Sequence, residues 1–166
     1  MSSIEIIVLG TPAPQGSKHG YAIKAKGAYT GKVAQVESSA KVKPWRMAVK
    51  YAALNEIRAT TDHWRPMTGA LVIEVVFRLP RPKGHYGTGR NTGNLKPSAP
   101  LFPAGRPDLD KLLRSTFDAL GEAGIWGDDA QVVAARGRKV YDTAYAPTGA
   151  TILVTSDANL VERMVA

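Results

Sequence analysis

Apolar positions recur along this chain with two different periods, and the places where the period changes mark the elements. Ile4 to Leu9 is a short apolar run closed by Gly10, Pro12 and Pro14, which predicts a buried strand ending in a turn. Gln15-Gly16-Ser17-Lys18-His19-Gly20 has loop composition, and Tyr21–Lys24 with Lys32–Val36 makes a hairpin around Gly27 and Gly31. Pro44 suits the first turn of a helix. After it Trp45, Ala48, Val49, Ala52, Ala53 and Ile57 follow at helical spacing to about Arg58, with Arg46, Lys50 and Asn55 on the opposite face. Ala70 to Leu79 is rich in Val and Ile and reads as a central strand, stopped by Pro80 and Pro82. The clearest helix spans Asp108 to Leu120, where Leu109, Leu112, Leu113, Thr116, Phe117 and Leu120 form one continuous stripe that Gly121 or Gly124 can end. Gln131–Tyr141 and Ala150–Thr155 are two further strands, separated by a turn at Pro147–Gly149. Ser156 to Val165 is expected to close the chain as a short helix capped by Ser156 or Asp157.

Between the central strand and the leucine-rich helix lies Gly84 to Pro103, full of Gly, Pro, Asn, Thr and Ser and without periodicity. A segment of that kind in a compact domain is expected to be a flexible basic loop that meets substrate. The order strand, hairpin, helix, strand, loop, helix, strand, strand predicts an α+β fold: one domain over residues 1–166, with a mixed sheet packed against two main helices. Its 166 residues suffice for a core without staples, and the absence of cysteine excludes disulfides, thiolate zinc sites and cysteine nucleophiles. The first residues lack the pattern of a signal peptide, and no apolar run approaches the length of a membrane span. The expectation is a soluble protein of the cytoplasm.

Charge then narrows the chemistry. The net charge is +8, and it is unevenly placed. From Val75 to Pro107 there is no acid, whereas Arg78, Arg81, Lys83, Arg90, Lys96 and Arg106 are basic. Lys18 to Lys50 holds eight basic residues and one acid, Glu37. Such a surface attracts polyanions by long-range steering and counterion release. Against this background the segment holding Asp108, Asp110, Asp118, Asp128 and Asp129 reverses the sign. Helix capping and the macrodipole account for Asp at the start of a helix, but not for Asp128-Asp129 in a turn before a strand.

Asp110, Arg114 and Asp118 are spaced to line the polar face of the helix, with Asp108 at its mouth. If the turn at Ile125–Asp129 returns the next strand beside the helix N-terminus, Asp129 converges on Asp108 and Asp110. Two carboxylates ~4 Å apart repel by about 4 kcal/mol at an effective dielectric of 20, so a converging trio needs a cation, a proton or basic neighbours. Hard oxygen ligands without cysteine select Mg²⁺, with Mn²⁺ as an alternative. Such an ion suits phosphodiester hydrolysis, and Lys111 and Arg114 suit the charge that grows on the phosphate. Taken alone, D-x-D followed by D-D also fits glycosyltransferases and phosphatases.

The run Arg106-Pro107-Asp108-Leu109-Asp110-Lys111-Leu112-Leu113-Arg114, with Phe117-Asp118-Ala119-Leu120 and Trp126-Gly127-Asp128-Asp129-Ala130-Gln131-Val132-Val133, resembles the signature of the RusA family of Holliday junction resolvases. Pro-Ala-Pro-Gln-Gly-Ser-Lys near the start is similar to the N-terminal loop of its phage-type members. The resemblance implies a homodimer that cuts four-way DNA junctions with Mg²⁺ in a bacterial or phage-infected cell. It also implies catalytic, metal-holding acids at Asp108, Asp110 and Asp129. Two positions depart from the family pattern. Lys111 stands where Asn is frequent, and Arg114 stands where an essential Lys is expected. Arginine keeps the charge but is a far poorer proton donor, so charge stabilisation carries over to Arg114, while a proton-transfer role stays open between Arg114 and Lys111.

Lys18, Arg81, Lys83, Arg90, Lys96, Arg106 and Lys111 are the expected DNA contacts. His19, His63 and His85 form no metal or triad pattern, Trp45 and Trp64 read as packing residues, and Trp126 adjoins the acidic turn. Three functions compete: a structure-selective nuclease, a non-catalytic basic nucleic-acid-binding protein whose acids serve as caps, and a metal-dependent transferase on a phosphorylated sugar. The basic bias and the absence of a phosphate-cradling Gly motif disfavour the last.

Overall fold

The computed structural model describes residues 3–16, 18–25, 28–37, 40–60 and 63–156. The helix expected over 156–165 lies outside the described residues, apart from its first position.

Among the described residues, six strands and two α-helices follow in the order β1 (Ser3–Leu9), β2 (Lys18–Ala25), β3 (Ala28–Glu37), α1 (Val42–Thr60), β4 (Leu71–Leu79), α2 (Leu109–Glu122), β5 (Val132–Tyr141) and β6 (Gly149–Thr155). The order and fold class agree with the sequence pattern, and most boundaries fall within two residues of it. The hairpin is the exception. It begins at Lys18, so Lys18–Gly20 are strand where loop was expected. The side chain of Lys18 is outside the described residues.

The main sheet has the order β1-β6-β4-β5. β6 pairs antiparallel with both β1 and β4, whereas β4 and β5 run parallel. A parallel pair cannot be closed by a tight turn and needs a crossover, which α2 supplies. One face of the sheet builds the core with Ile4, Ile6 and Val8 of β1, Ile73, Val75 and Phe77 of β4, and Ile152 and Val154 of β6. The helices cover that face with Trp45, Val49 and Ala53 of α1 and with Leu112, Ala119 and Leu120 of α2. A hydrogen bond from Trp45 Nε1 to Thr116 Oγ1 (3.2 Å) ties the helices together inside the core. Ion pairs from Arg46 to Asp118 (3.3 Å) and to Glu122 do so at its edge.

The N-terminal loop after β1 is docked on α2 and not left in solvent. Ser115 Oγ donates to the Ala13 carbonyl (2.7 Å), and the Gln15 N–H donates to the Lys111 carbonyl (2.9 Å). Where β1 meets β6, a Cβ on Gly149 would overlap the Val8 carbonyl. Gly149→Ala must therefore prise the edge strand from the sheet, and we expect a loss of at least about 3 kcal/mol in chemical denaturation. An unaltered midpoint would show that β1 is not held in this register.

The segment 84–103, expected to lack structure, is organised locally. It contains short 3-10 turns at Lys83–His85 and Gly89–Asn91, and isolated bridges join Tyr86 to Leu95 and Gly87 to Thr92. Backbone hydrogen bonds inside the segment hold it, as in the Lys96 N–H bond to the His85 carbonyl (2.9 Å), which sequence periodicity does not register.

Candidate active site

The C-terminal ends of β4 and β5 and the N-terminus of α2 point to the same side of the molecule, as the crossover geometry requires. A crevice outside the carboxyl ends of parallel strands is the usual place for a ligand in such folds. Here a cleft of about 690 Å³ opens there. Its walls are the loop Thr11–Gly16, the prolines 80, 82, 103 and 107, and Tyr141, with Lys41, Arg106, Asp108 and Lys111 among its polar residues.

Asp108 takes the N-cap position of α2, and its carbonyl accepts the first helical bond from Leu112 N–H (3.1 Å). Its carboxylate makes no capping bond and turns instead to Lys111 Nζ (3.0 Å). The hydrogen bond and charge of Lys111, with Arg106 and Lys139 behind them, hold the Asp108 carboxyl below the usual carboxylate range. A lowered native pKa stabilises the fold above the ordinary carboxylate range, and that contribution is lost as pH falls through the lowered value. In Lys111→Met the Asp108 pKa is expected to move back up, measured by NMR of the side-chain carboxyl carbon. An unmoved titration would remove Lys111 as the cause.

The chain segment that leads into Asp108 is braced from the end of β5. Lys139 Nζ donates to the carbonyls of Gly105 (2.8 Å) and Pro107 (2.9 Å). No local signal in the sequence marks this role, because it depends on the end of β5 lying beside the end of the 80–107 connection. Arg81 is likewise engaged. It stacks on Tyr141 at 4.0 Å and donates to the Pro100 carbonyl (3.0 Å). Lys96 Nζ donates to the Gly84 carbonyl (2.8 Å). The side chains of Lys83, Arg90 and Arg106 make no hydrogen bond or close ion pair among the described residues, although the Arg106 charge acts on Asp108.

The acidic segment divides into three groups. Asp118 belongs to the bridge between the helices through Arg46. Asp128 is a cap: its side chain accepts from Ala130 N–H (2.8 Å), while Gln131 Oε1 accepts from Asp128 N–H (3.1 Å) and Gly127 N–H (3.0 Å). The bland reading of Asp128 thus holds after all. Its signal in the sequence is the Asp-x-x-Gln spacing of a capping box. Gln131 Nε2 also reaches the Met67 carbonyl (3.1 Å), which pins this turn to the chain before β4.

Asp129 stands apart. Its Oδ1 accepts from Trp126 Nε1 (2.7 Å) and lies over Gly121, where a Cβ would come within 3.5 Å of it. Gly121 is in the last turn of α2 and Asp110 is in the first. At 1.5 Å per residue they are separated by roughly 16 Å. The turn at Ile125–Asp129 returns the chain to the C-terminal end of α2, not to its mouth. Asp129 therefore does not converge with Asp108 and Asp110 within one chain, and among the described residues no group of three acids or histidines is placed to hold a metal ion. The same segment leaves Asp110 and Arg114 exposed on α2, without a side-chain partner among the described residues.

No described helix is long and apolar enough to cross a membrane. No curated protein matches the chain. The family model described as endodeoxyribonuclease RusA matches residues 13–152, from within the docked N-terminal loop into the last strand. That span takes in most of the cleft, the α2 mouth and the turn carrying Asp129, and with more than four fifths of its length matched the chain belongs to the RusA endodeoxyribonuclease family.

Proposed function

We propose that this endodeoxyribonuclease resolves Holliday junctions or related branched DNA by paired, divalent-metal-dependent phosphodiester hydrolysis. One observation carries the reading: an ionised carboxylate, Asp108, sits at the mouth of α2 in a cleft rimmed by Lys41, Arg106 and Lys111. The cations attract and seat a phosphodiester, and Lys111 and Lys139 keep the Asp108 segment in place. Lys83, Arg90 and Arg106 extend the contact along the backbone of a DNA arm, and Lys18, Arg81 and Lys96 add to the same field. Arg114 meets the negative charge that builds on the phosphate during attack.

Mg²⁺ or Mn²⁺ is the ion that oxygen donors of this type select, and when bound it supplies Lewis-acid polarisation and an activated water. A single chain does not assemble the three carboxylates around one ion, so the residue roles above are the chain's own. Two opposed cuts across a junction call for two sites, which a homodimer provides.

The test is cleavage of a labelled synthetic four-way junction with Mg²⁺, set beside a linear duplex of the same sequence. We expect metal-dependent, symmetric cutting of the junction alone. Tight binding without cutting under any divalent ion would instead favour a non-catalytic nucleic-acid-binding protein.

A further inference from the structure

The cleft beside Asp108 has more apolar wall than a phosphodiester needs. Charge seats a phosphate, and Lys41, Arg106 and Lys111 supply it at the rim. Much of the remaining wall is made of rings, those of Pro12, Pro14, Pro80, Pro82 and Tyr141. Proline presents a flat apolar ring and no backbone N–H, so such a wall suits the face of another ring better than an anion. Tyr141 is held in place from outside the cleft. Arg81 lies over its ring at 4.0 Å and His85 meets it edge-on at 5.5 Å, and neither residue lines the cleft. Unstacked nucleobases pack on aromatic and apolar side chains of this kind.

One polar group in this wall is left over. Gln15 lines the cleft, and its Oε1 is buried without a hydrogen-bond partner among the described residues. The backbone there is fixed, since Gln15 N–H donates to the Lys111 carbonyl (2.9 Å) and the Ala13 carbonyl accepts from Ser115 Oγ (2.7 Å). A buried amide oxygen in this state carries its full desolvation cost, which an N–H donor arriving in the cleft removes. The terminal torsion of glutamine is broad, so the amide turns toward such a donor without moving the chain. The size of the cleft sets the form of the occupant. At about 690 Å³ it falls in the small-ligand range of ~300–1,000 Å³, enough for a nucleotide but not for a duplex. A base that meets Gln15 has therefore left its stack and its pairing partner.

We propose that this cleft is a base pocket: it takes one extruded nucleobase beside the phosphate at Asp108, packs it on Tyr141 and the prolines, and reads its edge through Gln15. The proposal rests on the branched-DNA reading above and adds a source for its selectivity. Extrusion costs least for a base that is already unpaired or poorly stacked, as at a branch point, and most within an intact duplex. Gln15 is then a specificity-determining residue, placed by the docked N-terminal loop.

The experiment measures binding of labelled four-way junctions by fluorescence anisotropy in EDTA, so that no strand is cut. Each nucleotide flanking the branch is replaced in turn by an abasic one, in all symmetry-related arms. We expect the wild type to bind about tenfold more weakly when the base is missing at one such position, and within about twofold at the others. Gln15→Met keeps the bulk of the side chain and removes the amide. It is expected to bind the intact junction more weakly and to show a penalty of only about threefold at that position, from the stacking that remains. Without DNA its thermal midpoint should equal or exceed that of the wild type, because the orphaned oxygen is gone. A lowered midpoint would mean that Gln15 serves the fold, and a full tenfold penalty in Gln15→Met that it does not touch the base; either overturns its assignment. Equal binding of every abasic junction by the wild type overturns the pocket itself, and normal Mg²⁺-dependent cutting of those junctions would leave the nuclease reading intact. A position-specific penalty in a protein that cuts no junction with any divalent ion would support the pocket and sink the nuclease reading instead.

Discussion

Asp110→Asn is expected to abolish metal-dependent cutting of a four-way junction while leaving junction binding within a few-fold of wild type. The substitution keeps the size of the side chain and removes its charge. Asp110 is exposed in the first turn of α2 and makes no ion pair among the described residues, so its loss costs the fold little. Removing one charge-bearing group from a reacting centre typically costs on the order of 10²–10³-fold in rate, and the loss here should fall in that range or beyond. Gel-based cleavage and mobility-shift assays on the same labelled junction separate the two effects. Cutting that persists at the wild-type rate would remove Asp110 from the site. A parallel loss of binding would point to a DNA contact in place of a catalytic one.

The second large effect is at Arg114. Arg114→Ala is expected to lower the cleavage rate on the order of 10²-fold, equivalent to about 2.7 kcal/mol of transition-state stabilisation. Arg114→Lys should retain most of the activity, because the positive charge and much of the reach are preserved. The pair of variants separates a charge role from a packing role. Arg114 is exposed, and its truncation leaves no cavity in the core. Equal rates for Arg114→Ala and the wild type would exclude a charge role at this position, and equal losses in the Ala and Lys variants would indicate a need for the planar, forked guanidinium.

The main elements were legible in the chain because the local periodicity and the tertiary burial agree. The α2 stripe of Leu112, Thr116, Ala119 and Leu120 faces the core, as expected from one apolar face per amphipathic helix. The Val- and Ile-rich β4 pairs on both sides, as expected of a strand without a solvent face. The first strand of the hairpin was read too short at its start, because Gly16, Ser17 and Gly20 suggest loop chemistry and the pairing with β3 overrides it. The turn before β5 was read as chemically loaded, when half of it is a capping box whose Asp128 and Gln131 satisfy backbone groups.

The α+β class, the basic field, the family and the identities of the acids at the two ends of α2 are legible in the chain alone. These rest on local patterning and on the linear spacing of side chains, both of which survive in any view of the chain. Which of those acids lie near one another is set by the tertiary arrangement. The decision follows from the crossover between parallel strands. β5 must start beside the end of α2 and finish beside its beginning, so the residue at its start, Asp129, is carried to the far end of the helix, while Lys139 near its finish is brought to Asp108. The twenty residues of sequence between Asp108 and Asp129 carry no trace of that reversal. It is imposed by the requirement that a parallel pair be closed by a helix running back along the sheet.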